Sequence, residues 1–337
     1  MRDRRKVISL DTDSALALMQ EIYNDIVEQK NTASLITKKM LTFMKEAEDM
    51  SVIGPVIKEQ QKILNDCTEK KISLVKLQGV LLKQSGGNGK RADFTKLELT
   101  IPGEIIKSSS GELYLIRQDV KKVCTEADLI KNKYRGIFEL PPKLKTDLHK
   151  LNHEFKAMLN IDPKNIVFLD IETTGLSRTP LFLIGLLYFD GDNIIVDQLF
   201  ARDYSEEASV LHYFSEFVPR FNALVTFNGK TFDVPFIRDR MIYHRKFLKW
   251  THLHVDILQH SRRRWRGKTP DCKLQTLEHH ICGRRREDDI PGALVPEIYH
   301  DFVRNGNLEY LSGIFLHNTL DLLTLLELTV VLLLEPE

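Results

Sequence analysis

The spacing of apolar residues changes twice along this 337-residue chain and divides it into three regions. Over residues 1–84, apolar positions recur every three or four residues with charged residues between them, which predicts amphipathic helices. The stretch QSGGNGKR at 84–91 interrupts this pattern, and the short apolar runs after it predict a small β-hairpin and linker region over 85–150. Residues 151–337 carry the clearest strand and helix signals, so we expect the main domain there.

The order of predicted elements in the main domain is typical of one fold class. Its first three apolar runs, IVFLDIE, LFLIGLLYF and NIIVDQLFA, predict strands, and the turn DGDN between the second and third predicts a hairpin. An amphipathic helix, the strand ALVTF, the helix VPFIRDRMIYH and the short strand LHVDIL follow, and helices fill the rest. This order predicts an α/β fold with a mixed five-stranded sheet flanked by helices, similar to the ribonuclease H-like fold.

Two acids interrupt the first of these strands near its end. Asp170 and Glu172 are two residues apart, so in a strand their side chains project from the same face. Like charges this close are costly unless a cation lies between them, which indicates a metal site; the alternative is a solvated strand end. The Thr-Thr-Gly turn that follows lets a ligand approach the backbone closely, and Thr173 is the candidate substrate contact there.

Two further motifs add titratable residues. In TFNGKTFD, Asn228 follows a strand and Asp233 stands at the start of a helix, where an Asp is equally well explained as an N-cap. In LHNTLD, His317 and Asp321 are four residues apart and share one face of an apolar helix. Burying an unpaired carboxylate is expensive, so Asp321 indicates a function, whereas a lone histidine on such a face is more typical of a core residue.

Taken together, DIE, NGKTFD and HNTLD resemble the ordered motifs of the DEDD-type 3′–5′ exonuclease superfamily, whose domain has the ribonuclease H-like fold. The run from VDILQHSRRRWR to LHNTLDLLTL is similar to the YprB-like branch, and the resemblance covers roughly residues 165–332. This chain has SRTP after DIETTGL, where that branch has a Gly-rich segment. The resemblance implies roles for six residues: Asp170, Glu172, Asp233 and Asp321 as catalytic metal ligands, His317 as general base, and Asn228 as the residue that positions the terminal nucleotide.

The charge of the four acids suits two divalent cations, because four negative charges neutralise two ions of charge +2. Two such ions about 3.5–4 Å apart can activate water and stabilise the leaving oxygen in phosphodiester cleavage. Ligation by oxygen alone favours Mg²⁺ or Mn²⁺. A zinc site is a weaker alternative, because the spacing of the nearby thiols and imidazoles matches no common zinc pattern: Cys272, His279, His280 and Cys282.

A basic segment lies between the second and third motifs. Residues 244–286 contain twelve Lys or Arg against three acids, an excess of nine in a chain whose net charge is +1. Within it, HSRRRWRGK places Trp265 beside Arg262, Arg263 and Arg264, a mixture suited to phosphate contacts and base stacking. A solvated helical face is the alternative, but beside a nuclease centre we favour nucleic-acid binding.

Composition sets the expected class and location. The chain is 42% hydrophobic and 28% charged, and its four cysteines form no C-x-x-C pair, as expected for a globular cytoplasmic protein with reduced thiols. The first residues, MRDRRKVISLDTD, lack the apolar core of a signal peptide. The run LDLLTLLELTVVLLLE is interpreted as a buried helix too short to span a bilayer, so we expect no membrane association.

The sequence therefore predicts a metal-dependent nuclease that acts on DNA or RNA, with the superfamily resemblance implying hydrolysis from the 3′ end. One alternative is an endonuclease on the same fold. The other is a non-catalytic nucleic-acid-binding or scaffold protein, in which the N-terminal helices contact a protein partner. The presence of all four acids argues against this second alternative.

Overall fold

The computed structural model describes residues 94–140, 152–175, 179–286 and 289–334, together with positions 22, 26, 29, 32–33, 35–37, 39–40, 53–67 and 70. The chain divides into two compact units, residues 1–91 and 92–337. All described residues of the first unit are α-helical, and the rest of its predicted helical region lies outside the described residues. The second unit contains the sheet and all the predicted site residues.

One mixed sheet of seven strands organises the second unit. Its strands are β1 (Glu104–Ser108), β2 (Gly111–Asp119), β3 (Ile166–Thr173), β4 (Leu181–Asp190), β5 (Asn193–Phe200), β6 (Ala223–Thr226) and β7 (Leu253–Asp256). Their spatial order is β1-β2-β5-β4-β3-β6-β7. In this spatial order, each neighbouring pair from β1 through β2, β5 and β4 to β3 is antiparallel. Strand β6 pairs parallel with both β3 and β7.

The five predicted strands are present as β3 to β7, and the mixed sheet with flanking helices confirms the predicted fold class. The sheet has seven strands because the hairpin β1–β2 pairs with the outer edge of β5. The predicted hairpin of the 85–150 region therefore extends the same sheet as the main domain. Earlier in the same region, Thr95–Thr100 forms a short helix whose Leu97 packs into the core.

Helices cover both faces of this sheet. They are α1 (Thr95–Thr100), α2 (Ala127–Glu139), α3 (His153–Met158), α4 (Glu207–Phe217), α5 (Asp233–Tyr243), α6 (Ile257–Trp265), α7 (Leu274–Leu277), α8 (Val295–Asn305) and α9 (Leu311–Leu334). A π-helical turn, Glu278–Cys282, follows α7 directly. The two faces bury two separate apolar cores.

The longest helix, α9, crosses from one core to the other. Its first turns contribute Leu311 and Ile314 to the first core, and its later turns contribute Leu322 and Leu326 to the second. In the described part of the chain it is the one helix long and apolar enough to cross a membrane, with 24 residues and a hydropathy of 1.5. The prediction that this segment is too short was wrong, because the helix begins at Leu311. The prediction of a buried helix is confirmed, since 72% of its apolar stretch is buried inside the protein.

Candidate active site

The two carboxylates of β3 lie where its buried face becomes polar. Ile166 and Phe168 point into the second core, and Asp170 and Glu172 continue the same face beyond them. Burial raises the pKa of the Asp170 carboxyl well above its usual value of 3.8, and neighbouring acids raise it further. Burial and neighbouring acids likewise raise the pKa of Glu172 well above 4.5. Strand alternation therefore places both acids in a poorly hydrated, negatively charged site.

The neighbouring acids come from α5 and α9. The negative charges of Asp321 and Asp233 raise the pKa values of both β3 carboxyls. Asp233 itself is only 4% exposed, and burial is the main reason that its pKa is raised from 3.8 to about 7. Burial also raises the pKa of Asp321. The structure thus brings together the four predicted metal ligands from β3, α5 and α9. They are Asp170, Glu172, Asp233 and Asp321.

The turn before α5 sets the position of Asp233. Asp256, at the end of β7, accepts hydrogen bonds from the backbone N–H groups of Asn228 at 2.8 Å and Lys230 at 3.1 Å. Asn228 has a left-handed backbone with φ of 67°, and Gly229 packs so closely that a Cβ would lie 2.4 Å from Thr226 Oγ1. Asp256 is therefore a structural acid that holds the NGK turn.

His317 contacts two acids through its two ring nitrogens. Its Nδ1 lies 2.9 Å from Asp289 Oδ1, and its Nε2 lies 3.6 Å from Asp321 Oδ2. An ionised carboxylate only accepts hydrogen bonds, so Nδ1–H donates to Asp289; when the ring is neutral, the free lone pair is then on Nε2. The imidazole is 6% exposed, and the prediction of a histidine on the face of Asp321 is confirmed by this geometry. Asp289, in the acidic turn after the basic segment, was not predicted as a site residue.

Arg286 links the acids around His317. Its guanidinium donates to Asp321 Oδ1 at 2.5 Å and to Asp289 Oδ2 at 3.0 Å. Its Nε donates to the buried Glu278 at 2.5 Å, and Arg284 donates to the same carboxylate at 2.6 Å. These acids raise the pKa of Arg286, so it stays charged. Two of the twelve basic residues of segment 244–286 therefore lie in interior ion pairs, and the surface excess is smaller than the count predicts.

A second residue of α9 fixes Asp170. Asn318 Nδ2 donates to Asp170 Oδ2 at 2.8 Å, and Gln198 Nε2 donates to Asn318 Oδ1 at 2.9 Å. Gly185 leaves room for this amide, because a Cβ on it would lie 2.1 Å from Asn318 Oδ1. Asp170, Gly185 and Gln198 are neighbours across three strands. Sequence reasoning missed Asn318, although a lone glycine inside the apolar run LFLIGLLYF was a signal of close approach.

The predicted substrate contacts have different outcomes. Thr173 is 9% exposed, and its hydroxyl donates to the Gly175 carbonyl at 2.7 Å, so it closes the turn beside the acids. Asn228 is half-buried next to Asp233, and its Oδ1 accepts from Thr231 Oγ1 at 2.6 Å. Trp265 is 6% exposed and packs into the second core. The prediction that its indole stacks on bases is wrong.

The three arginines that precede Trp265 lie near the end of α6. Arg262 and Arg263 are exposed, and Arg264 is half-buried. Helical spacing turns Trp265 toward the core and leaves the first two guanidinium groups in solvent. Their predicted contact with phosphates remains a prediction.

The acids suit divalent cations in chemistry and in charge. Each of the four carboxyls has its pKa raised by burial, a condition that a bound cation would relieve. Within the described ranges, no three His, Cys, Asp or Glu side chains already surround a common point as metal ligands. The cysteine and histidine group near residue 280 lies within these ranges, so the zinc alternative gains no support. Arg286 neutralises part of the charge on Asp321 instead.

Comparisons with known proteins agree with this architecture. A family model described as the RNase_H superfamily matches residues 167–333. The chain is also 34% identical over 189 residues to a Bacillus subtilis protein described as uncharacterized protein YprB. That alignment covers 53% of this chain and 44% of the relative, so the chain spans less than half of the relative's length. These matches confirm the predicted resemblance to the ribonuclease H-like family.

Proposed function

We propose that this protein is a metal-dependent nuclease that hydrolyses DNA or RNA from the 3′ end, on the premise that residues 167–333 match the ribonuclease H superfamily. The observation that carries the proposal is the convergence of four carboxyls from β3, α5 and α9, one buried (Asp233) and three half-buried, whose charges raise one another's pKa values. Such mutual repulsion is destabilising, so its presence supports a functional site. The 3′ polarity rests on the motif resemblance.

Nucleases of this superfamily generally use divalent metal ions. Here Asp170, Glu172, Asp233 and Asp321 would hold two such ions, Mg²⁺ or Mn²⁺. The bound ions would lower the pKa of a water molecule and stabilise negative charge on the leaving oxygen. Asn318 orients Asp170, and the NGK turn orients Asp233, so the protein supplies two rigid positions before any ion binds.

His317 is suited to accept a proton from the attacking water. Its Nδ1–H is fixed on Asp289, which leaves the Nε2 lone pair directed to the side of Asp321. Arg286 holds both of these acids and so fixes the direction of the ring. A water molecule near Asp321 would then lie within reach of Nε2. A His–Asp pair of this kind supports the role of general base for His317.

The test uses the full chain with end-labelled DNA and RNA oligonucleotides, with EDTA, Mg²⁺ or Mn²⁺. We expect metal-dependent products that shorten from the 3′ end, and resistance of a circular substrate. Asp170→Asn should remove most of the activity and keep the fold, because it relieves repulsion among the buried acids. Asp190→Asn, an exposed acid at the end of β4, is the matched control and should behave like the wild type.

Three outcomes would redirect the proposal. Cleavage of a circular substrate would favour the endonuclease alternative. Binding without hydrolysis under any metal condition would favour a non-catalytic binding or scaffold protein. Turnover of Asp170→Asn equal to that of the wild type would remove the assignment of the four acids.

A further inference from the structure

A cluster of apolar side chains is exposed at the C-terminal end of α5 and in the loop that follows. Phe247 is 86% exposed, Tyr243 is 70% exposed and Ile242 is 67% exposed. We call these three residues and the basic residues around them the α5-end patch. Two aromatic rings this exposed are not explained by packing, because neither contributes to the two cores. Large exposed apolar side chains grouped this closely along the chain, within residues 242–247, are typical of an interaction site.

The charge around these rings is positive. Arg238, Arg245 and Lys249 are exposed, and none of them forms an ion pair with another residue in the described part of the chain. Within residues 238–249 the only acid is Asp239. Arg240, the remaining arginine, is paired with the buried Glu207 and lies under the Tyr243 ring at 4.4 Å. The patch therefore combines exposed cations and exposed aromatic rings within one short segment of the chain.

The backbone at the end of α5 gives an independent indication that the patch is functional. Arg245 N–H donates to the Ile242 carbonyl at 3.0 Å, and Lys246 N–H donates to the Met241 carbonyl at 2.8 Å. These two bonds form a Schellman motif, in which the residue at the Arg245 position is left-handed, with φ of 54° here. Glycine is strongly preferred at this position, because a Cβ is disfavoured there.

The same chain uses glycine at comparable helix ends. Gly306 follows α8 with φ of 66°, and Gly283 follows the π-helical turn with φ of 72°. Arginine at 245 therefore keeps a less favourable backbone and presents an exposed charged side chain two residues before Phe247. A residue whose backbone would be better served by glycine is explained if its side chain contacts a ligand.

From these observations we propose that the α5-end patch binds single-stranded nucleic acid. The Tyr243 and Phe247 rings would stack on bases, and Arg245 and Lys249 would contact phosphates. Exposed cations and exposed aromatic rings in one short segment complement a polyanion that carries exposed bases. Trp265 is buried, so the stacking predicted near the arginines of α6 has its counterpart here.

The position of the patch gives it a place in the proposed reaction, and this step rests on the nuclease function proposed above. The helix α5 has Asp233 at one end and Tyr243 at the other, which are about 15 Å apart at 1.5 Å per residue. A stacked strand rises about 3.4 Å per nucleotide, so roughly four to five nucleotides cover this distance. A strand with its 3′ end at the acids would reach the patch only when it is longer than that.

The test measures binding of the full chain to fluorescein-labelled oligothymidylates of three to fifteen nucleotides by anisotropy, in EDTA. For the fifteen-nucleotide strand, the double variant Tyr243→Ala, Phe247→Ala should bind at least tenfold more weakly, because stacking contributes roughly 5- to 150-fold per base. The three-nucleotide strand should bind the double variant and the wild type equally well. Leu99→Ala is the matched control, since Leu99 is 83% exposed on α1, and its affinity should be unchanged.

Arg245→Gly separates a binding role from a structural one. Because glycine suits the left-handed backbone, this variant should melt at the same or a higher temperature while it binds the long strand more weakly and with a shallower salt dependence. Unchanged binding in both variants, or a wild-type chain that does not bind single strands, would overturn the proposal. The proposal would also be overturned if the variants lost self-association in sedimentation but kept strand binding. The α5-end patch would then bind a second copy of this chain.

The outcome is separable from that of the proposed function, because anisotropy in EDTA requires no hydrolysis. If the variants bind more weakly and the wild type hydrolyses nothing, the binding role of the patch is supported and the nuclease function is refuted. If the wild type hydrolyses nucleic acid and the variants bind as well as the wild type, the nuclease function is supported and the binding role of the patch is refuted.

Discussion

Asp233 makes the stability of the metal-free protein depend on pH in a direction that is unusual for an acid. Its pKa is about 7 in the folded state against 3.8 for an ordinary aspartate. Because the folded pKa is raised, the associated stability is fully present below pH 3.8 and is lost as the pH rises through about 7. A difference of about three pKa units corresponds to about 4 kcal/mol of unfolding free energy, at about 1.4 kcal/mol per unit.

The substitution that reveals this contribution to the unfolding free energy is Asp233→Asn, which keeps the shape of the side chain and removes its charge. We expect the variant and the wild type to differ little near pH 4. Between pH 5 and pH 8 the difference should grow by about 3 kcal/mol in favour of the variant, from the titration of a single buried acid. Asp190→Asn, an exposed acid, is the control and should show no such trend.

Urea unfolding in EDTA, followed by tryptophan fluorescence, is the appropriate assay. Both tryptophans, Trp250 and Trp265, lie in the unit of residues 92–337, so their signal reports the unit that contains the site. Addition of Mn²⁺ at pH 8 should stabilise the wild type more than the variant, because a bound cation would relieve the repulsion. A stability difference that does not change between pH 5 and pH 8 would refute the reasoning.

Other substitutions test the remaining parts of the site. His317→Ala should lower the hydrolysis rate by roughly 10²–10⁴-fold, the range for loss of a general base, with Mn²⁺-induced stabilisation retained; near-wild-type turnover would make His317 a packing residue. Gly185→Ala should cost about 1–3 kcal/mol of unfolding free energy and reduce turnover, because the new methyl group displaces the Asn318 amide from Asp170; unchanged turnover would show that this amide is dispensable. Replacing Arg262, Arg263 and Arg264 with alanine should reduce the slope of log affinity against log salt by nearly one unit per lost phosphate contact; an unaltered slope would identify them as a solvated face.

Local periodicity was sufficient to predict most of the sheet and the pairing of site residues within single elements. Alternation along β3 places Asp170 and Glu172 on one face, and helical spacing places His317 and Asp321 on another. Both are properties of a single element, so they can be derived from the order of residues alone. The convergence of β3, α5 and α9 came from the motif resemblance, because no local pattern states which elements meet.

Two features could not be predicted because they depend on contacts between distant segments. The hairpin β1–β2 was predicted, but not its partner β5, since strand pairing is set by tertiary packing. Arg284 and Arg286 lie in a basic run, and only the buried Glu278 explains why they face inward. The burial of Trp265 was recoverable, because Ile257, Ser261 and Trp265 recur every four residues and mark the inner face of α6.

The attachment of the hairpin to β5 has a consequence for how this protein can be shortened. Six residue pairs join β2 to β5, from Tyr114 opposite Phe200 to Asp119 opposite Ile195. Arg117 also donates two hydrogen bonds of 2.7 Å to Asp197, whose side chain is fully buried. A fragment trimmed to the family match at residue 167 would expose the edge of an apolar strand and leave that carboxylate without its cation. Unpaired edges of this kind recruit other chains, so such a fragment should aggregate, whereas one that begins before β1 should not.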